Sequence, residues 1–527
     1  MAESAEVDLI RAIRPRLGAL RQAATGAAVN ALPGHGEGFT SPGVRWREVA
    51  GWMPADVYAD NFRRVANALD AVAIEWWVVS GLDPGRHVIG VADSDRALVM
   101  RAITTQPSTA DCYVRDPRRP ELWVRARRAN AAALGKAPVL QVGVPTRCAG
   151  LDYDLDYGCD VEFWSIGSGQ FVGPRENRAA RVLTAAEMTM VGIEVAGRDA
   201  RTPEVFTRRM VDDITFDIDV VYTWVDGSDP DWREARERTR AEQAGLQFHP
   251  GATAEARFHS RDELRYSLRS VAMYAPWVRR IHVVTSGQVP TWLDTSHPRI
   301  EVVPHSAIYD DPAQLPTFNS NSIISRLHHV PGLSEHYLYL NDDVFFGSAV
   351  TPADFFTPSG LAKVFPSRNR RPFGTPSPEV PTHLNLTHNI RRLLEEELGV
   401  TVSRAVWHTP HAQLRSVHEE LEQRFAAAYA ITWGHPFRHH TDIVADQLHH
   451  YYTQIVGRAV VGPLRYAYLG LDDPSTFAAM DRLIRARDQQ VFCLNDAPTA
   501  GATPIPDEHV EQWLARYFPV RSEFEKH

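Results

Sequence analysis

From Asp217 onward, apolar runs of strand length alternate with amphipathic helical stretches, and this alternation limits the fold more than any other feature of the chain. DIDVVYTWVDGSDPDW passes from an apolar core into an acidic, Gly-containing turn and then into the charged, helix-forming WREARERTRAEQ. Next, the helical DELRYSLRSVAMYAP leads to the strand-like RRIHVVTSG, and RIEVVPHSAIY precedes SNSIISRLHHVPGL and then HYLYLNDDVFFG. Strands that alternate with helices predict an α/β domain with a largely parallel sheet and flanking helices. Ligands of such a sheet bind beyond the carboxyl ends of its strands.

At 527 residues the chain exceeds what one hydrophobic core supports, so two or three domains are expected. Before residue 200, AIEWWVVSG (73–81), APVLQVGVP (137–145) and CDVEFWSIG (159–167) alternate with helical text such as SDRALVMRAI (94–103), predicting a smaller N-terminal α/β or α+β domain. The polar, mixed-charge stretch between Gly197 and Thr215 marks the boundary. The reading is an accessory domain over 1–205, a catalytic domain over 215–500 and a helical tail over 501–527. The Pro- and Arg-rich FPSRNRRPFGTPSPEVP (365–381) reads as a mobile loop, LDYDLDYG (151–158) as a solvated acidic loop, and DEHVEQWLARYF as a solvent-facing amphipathic helix. The N-terminus, MAESAEVDLIRAIRPRLGALRQAATG, reads as an amphipathic helix without the apolar core of a signal peptide, and no later run approaches 18 apolar residues. This predicts a cytoplasmic protein without a membrane span, free or peripheral at the inner face of the membrane. A net charge of -9 argues against nucleic acid as a partner. Four scattered cysteines with no C-x-x-C pair fit a reducing compartment.

Two acidic turns each follow a strand: Asp226 in YTWVDGSD, and Asp342 with Asp343 in YLYLNDDVFFG. A hard divalent cation bridging nucleotide phosphates takes carboxylate oxygens at such positions, although Asp-Gly and Asn-Asp pairs also make plain turns. Asn319, Ser320 and Asn321 precede an apparent helix and offer donors to a phosphate, or a simple N-cap. VWHTPHAQLRSVHEEL and ITWGHPFRHHTDIVADQL gather histidines with Arg438 and Asp442. Without an HExxH pattern, and with His439–His440 and His449–His450 on different helical faces, a structural zinc is disfavoured, and general-base or phosphate-binding roles fit better. VFCLNDAP places Asn495 and Asp496 after another apolar run. No P-loop, GxGxxG or GxSxG motif stands where it would carry meaning, which disfavours ATP and NAD chemistry.

In this order the segments resemble the Stealth family of sugar-phosphate transferases, which includes bacterial capsule and exopolysaccharide polymerases and the animal N-acetylglucosamine-1-phosphotransferase. DIDVVYTWVDGSDPDW is similar to the family's first block. The run from RFHSRDELRYSLRS to YLYLNDDVFFG is similar to the second, HTPHAQLRSVHEELEQRF through HPFRHHTDIVADQLHHYY to the third, and VFCLNDAP to the fourth. The resemblance implies transfer of hexose-1-phosphate from a UDP-sugar to a sugar or oligosaccharide hydroxyl, with UMP released and a phosphodiester formed. It further implies that Trp224, Asp226, Asn319, Ser320, Asn321, Asn495 and Asp496 contact the nucleotide-sugar. Asp342, Asp343 and Asp226 would hold Mg²⁺ or Mn²⁺, and Arg438 would face the diphosphate. His411 is taken as the base because it matches the family's second histidine, while spacing alone leaves His408 open. The rival readings are a metal-dependent glycosyltransferase that releases UDP and a non-catalytic nucleotide-sugar-binding scaffold.

Overall fold

The structure, a computed structural model, describes residues 44–83, 85–129, 134–243, 258, 260–473, 475–496 and 505–526. The amphipathic helix expected at the N-terminus lies outside the described residues.

The C-terminal half is built on a five-stranded sheet in the order Ile300–Pro304, Ile281–Thr285, Ile218–Thr223, His336–Asn341, His411–Leu414. The first four strands run parallel and the last is antiparallel. These strands are nearly continuous apolar runs because helices cover both faces; Ile218 through Tyr222 are all buried. The order fulfils the expectation of a largely parallel sheet and adds a consequence. The first strand in sequence, Ile218–Thr223, lies in the middle: the chain proceeds to one side of it, then returns to the other side with His336–Asn341. Connections that leave neighbouring strands in opposite directions open a crevice between their carboxyl ends, and ligands of open α/β sheets bind there. Asp226 follows one of these two strands, and Asp342 and Asp343 follow the other.

Past the acidic pair, Val344–Phe346 joins a second, three-stranded sheet, antiparallel to Val491–Asn495, which is itself parallel to Tyr466–Gly470. The Leu494 N–H donates to the Asp343 carbonyl at 3.0 Å, so the end of the fourth block lies against the acidic turn.

The N-terminal half carries an eight-stranded mixed sheet flanked by the helices Pro54–Asp70 and Arg96–Thr105, an α+β arrangement. It is docked onto the C-terminal half. Val57, Cys148, Leu151, Tyr153 and Tyr157 share one buried apolar cluster with Leu268, Tyr274, Leu338 and Phe345. Three sequence readings are corrected. LDYDLDYG is a strand followed by a turn that buries Leu151, Tyr153, Leu155 and Tyr157, and burial with the Asp156 charge pushes the Asp154 carboxyl up to about 6. The supposed loop 365–381 begins with a strand, Pro366–Arg370, paired antiparallel to Arg404–Val406. The supposed solvent-facing helix Asp507–Tyr517 buries Val510, Trp513, Leu514 and Tyr517 against the second sheet. At about 2 kcal/mol per fully buried large apolar side chain, this face is part of the core of the C-terminal half. No helix among the described residues is long and apolar enough to cross a membrane, and all four cysteines are buried free thiols.

Candidate active site

Gly227 lets the first acidic turn form. Its N–H donates to the Phe258 carbonyl at 3.0 Å, and a Cβ on Gly227 would stand 2.2 Å from that same oxygen, so no larger residue fits. The Asp226 carboxylate accepts from Ser228 N at 2.8 Å and Ser228 Oγ at 2.6 Å, while Gln288 Oε1 accepts the Asp226 N–H at 3.1 Å. The turn walls a cleft of about 360 Å³ lined by Trp224, Asp226, Ser228, Ser260, Arg261, Asp262, Tyr266 and Glu511. Trp224 is held at its rim by its backbone N–H, which donates to Val284 O at 3.0 Å.

Arg261 links this cleft to the second acidic turn. Its guanidinium meets Asp496 at 2.8 Å, Asp507 at 2.5 Å and Glu263 at 3.2 Å. Asp262, left-handed at φ 60°, turns the chain so that the Glu263 carboxylate also accepts the Arg261 N–H at 2.5 Å. Burial pushes Glu263 up. Burial also pushes the Asp342 carboxyl well above the usual carboxylate range, and the Glu263 and Asp343 charges add to the effect. Carboxyls gathered out of water with too few cations around them behave this way.

Asp343 meets the third and fourth blocks. His408 Nε2 stands 3.8 Å from Asp343 Oδ1, Cys493 Sγ stands 3.6 Å from Asp343 Oδ2, and Cys493 Sγ is 3.4 Å from His408 Nδ1. These three side chains could supply one ligand atom each to a metal ion. Asn341, last residue of its strand, contacts His408 Nε2 through its amide nitrogen. His411 lies elsewhere. It is buried, with Nδ1 at 2.7 Å from Asp446 Oδ2 and Nε2 at 2.9 Å from the Trp407 carbonyl. Burial works to lower it, yet the Asp446 carboxylate outweighs that and leaves it raised. A ring with both nitrogens engaged by acceptors is a fixed imidazolium and has no lone pair for a substrate proton. The structure thus brings His408, not His411, to the acidic pair.

Asn319, Ser320 and Asn321 are the first residues of a five-residue helix, Ser320–Ile324, and its N-cap, and they are engaged within the protein. Asn319 Nδ2 donates to Asp442 Oδ2 at 2.9 Å, Asn321 Nδ2 reaches the same oxygen at 3.4 Å, and Arg438 Nε donates to Ser320 Oγ at 3.0 Å. Asp442, fully buried, also takes His435 Nδ1 at 2.8 Å and so fixes the 435–442 loop against this helix. Through Ser320 this holds Arg438 in place, and its charge reaches the phenol of Tyr339, which donates to Asn341. Asn495 Oδ1 accepts from Tyr468 at 2.8 Å, and Asp496 is paired with Arg261.

Sequence reasoning singled out neither Glu263, Arg261 nor Cys493. All three fall inside the blocks that carried the resemblance, and only their meeting in space marks them. His328, His329 and Glu422 also converge, both Nε2 atoms lying 2.7 to 2.8 Å from Glu422 Oε2. The Arg326 guanidinium stands 3.2 Å from His329 Nε2 and 3.6 Å from Glu422 Oε1, where a metal's charge would otherwise be needed.

Four family profiles match the chain: Stealth protein conserved region 1 over residues 216–244, region 2 over 257–364, region 3 over 407–454 and region 4 over 481–527. An exopolysaccharide phosphotransferase of Streptomyces coelicolor is 39% identical over 95% of this chain and 87% of its own length. The exopolysaccharide phosphotransferase CpsY of Mycobacterium tuberculosis is 37% identical over 72% of this chain and 71% of its own. Among solved structures, the galactosyltransferase LgtC in complex with donor and acceptor sugar analogs aligns at 13% identity over 56% of this chain and 95% of its own, with a TM-score of 0.29.

Proposed function

The chain belongs to the Stealth family, and from the geometry of its switch point we propose that it transfers hexose-1-phosphate from a UDP-sugar to a sugar hydroxyl in exopolysaccharide or capsule synthesis, releasing UMP. The observation that carries this reading is the meeting of the Asp342–Asp343 turn with His408, next to a cleft lined by Trp224, Asp226 and Arg261. The names of the curated relatives support sugar-phosphate transfer in exopolysaccharide synthesis.

In this reading the uridine diphosphate lies in the cleft, with Trp224 and Asp226 along the nucleotide. Arg261 and Arg438 hold the diphosphate oxygens, where a planar guanidinium adds orientation to charge. Asn319, Ser320 and Asn321 act by holding Arg438 and its loop, and Asn495 and Asp496 close the far wall. His408 Nε2 takes the proton of the acceptor hydroxyl as its oxygen attacks the phosphorus that bears the sugar, and the bond to UMP breaks. The base proposed is therefore His408, with His411 a buried ion-pair partner behind it.

The acidic pair fits a divalent cation. Asp343 Oδ1 is buried, accepts no hydrogen bond from any described residue, and sits among carboxyls whose mutual repulsion drives Asp342 upward. Asp342 and Asp343, with Asp226 from the facing strand, would hold Mg²⁺ or Mn²⁺, and the ion when bound would neutralise charge on the transferred phosphoryl group.

The bond broken decides the matter. Attack at phosphorus releases UMP and leaves a phosphodiester, whereas attack at the anomeric carbon releases UDP and a product without phosphorus. Chromatography of the spent nucleotide and ³¹P NMR of the product are expected to show UMP and a phosphodiester resonance. UDP with a phosphorus-free product would discard phosphotransfer and keep donor binding, and no turnover of any UDP-sugar would leave the scaffold reading.

A further inference from the structure

Among the described residues, no carboxylate is bonded to Nδ1 of His408. A general-base histidine normally donates its second ring N–H to an acceptor that fixes the tautomer. Here Nδ1 meets the thiol of Cys493 at 3.4 Å, and Cys493 in turn reaches Asp343 Oδ2 at 3.6 Å.

The surrounding hydrogen bonds give this contact a direction. The Tyr339 hydroxyl donates to Asn341 Oδ1, so the amide nitrogen of Asn341 points at His408 Nε2. An amide N–H₂ can only donate, so Nε2 is the lone-pair nitrogen and the ring proton sits on Nδ1. Nδ1–H then donates to Cys493 Sγ, and the thiol hydrogen remains for the Asp343 carboxylate, which can only accept. Each hydrogen in the series Tyr339, Asn341, His408, Cys493, Asp343 thus has one placement. Cys493 is fully buried, with His408 Nδ1 on one side of its sulfur and Asp343 Oδ2 on the other, so the thiol both accepts and donates.

We propose that Cys493 is a positioning residue for the transfer, accepting the Nδ1 proton of His408 and donating its own hydrogen to Asp343, so that Nε2 rather than Nδ1 carries the lone pair. The inference rests on the function proposed above for its kinetic arm only. It assigns work to a side chain that packs like an ordinary core residue of the strand Val491–Asn495.

The test uses the full chain, freed of metal and labelled with ¹⁵N-histidine, with His408→Gln identifying the His408 signals by subtraction. Long-range proton–nitrogen spectra distinguish the two ring tautomers. The Nδ1–H form is expected in the native protein and in Cys493→Ser, whose hydroxyl can accept and donate likewise, and Cys493→Ala is expected to revert toward the Nε2–H form. With a UDP-sugar and acceptor, Cys493→Ala should lower kcat by roughly ten- to a hundredfold at unchanged donor KM, part of what a general base supplies, and Cys493→Ser should recover most of it. An Nε2–H ring in the native protein, a tautomer indifferent to Cys493→Ala, or a shifted tautomer with full kcat would each overturn the proposal. If Cys493→Ala does not fold, the native and Cys493→Ser spectra still decide the hydrogen placement. Absence of turnover in the native chain would count against the proposed function, while the tautomer would still be read.

Discussion

Both nitrogens of His411 are held by acceptors, whereas His408 Nε2 meets an amide donor and stands 3.8 Å from Asp343, so substitutions at these two positions should fail differently. His408→Ala is expected to lower kcat by roughly 10² to 10⁴-fold with donor binding and melting temperature preserved. His411→Ala strands the buried Asp446 carboxylate and should cost about 3 kcal/mol or more of stability, seen in thermal melts. A larger kcat loss at a folded His411 variant than at His408 would reverse the two roles. The acidic residues make a second prediction: activity should vanish in EDTA and return with Mg²⁺ or Mn²⁺, and undiminished turnover after chelation would remove the cation from Asp226, Asp342 and Asp343. Much at this scale was legible in the sequence. The acidic turns were visible because a strand followed by Asp has only a few places to go in an α/β sheet. Choosing between two histidines three residues apart was not, because the choice depends on Asp446 and Cys493, which approach from other elements. Cys493 and Glu263 sat in apolar or helical text that reads as core.

Histidine pairs gain their meaning from the elements they join. On the helix Ala445–Ile455, His449 Nε2 accepts the Leu414 N–H at 2.9 Å and His450 Nε2 accepts the Phe365 N–H at 3.1 Å, so adjacent imidazoles on different faces tie the helix to the strand His411–Leu414 and to the link between Ala362–Val364 and Pro366–Arg370. Both must be neutral to accept. Burial pushes His449 down to about 3, and pushes His450 and His418 well down too. An unfolded histidine titrates near 6.5, so below that pH the unfolded chain binds protons the folded chain refuses. Their contribution is whole above about pH 6.5 and is lost as pH falls toward the folded values. His411, raised by Asp446 although burial opposes it, runs the other way: its contribution holds at low pH and is lost as pH rises through its folded value. The lowered group outnumbers it, so melting temperature should drop from pH 7 to pH 5. In that range His449→Gln should flatten the dependence by about 1.4 kcal/mol per pH unit, the weight of one proton. A pH-independent melt would contradict the neutral assignment. These runs carry no zinc-ligand spacing, and nothing in their text reveals which backbone groups the imidazoles hold. The antiparallel pair of Pro366–Arg370 with Arg404–Val406 was hidden for a related reason: the alternation of Arg with Ser and Asn in its first strand carries no apolar period to reveal it.

At the scale of the whole molecule, the boundary read near residue 205 separates two sheets, and the N-terminal half has a core of its own around Phe62, Val99, Leu140 and Phe163, but it also lends side chains to the core of the other half. Val57, Tyr153 and Tyr157 lie in the same buried cluster as Tyr274 and Phe345, and the helix Pro54–Asp70 packs on Glu263–Tyr274, which carries Glu263. A fragment beginning near residue 205 is therefore expected to aggregate or melt well below the full chain, although every residue proposed to touch the nucleotide is retained. A soluble fragment with native donor affinity would show the interface to be dispensable. Composition announced two sheets but could not reveal their shared face, because buried tyrosines read alike in a core and at an interface. The site itself is scattered just as widely along the chain: Asn341 reaches His408 across 67 positions, Asp343 reaches Cys493 across 150, and Arg261 reaches Asp496 across 235. Each contact closes a long loop whose ends meet only when the intervening structure is in place. The enzyme thus works as a coincidence detector of its own folding. On the proposed reading, a chain emerging from the ribosome has no assembled site until residue 496 is free.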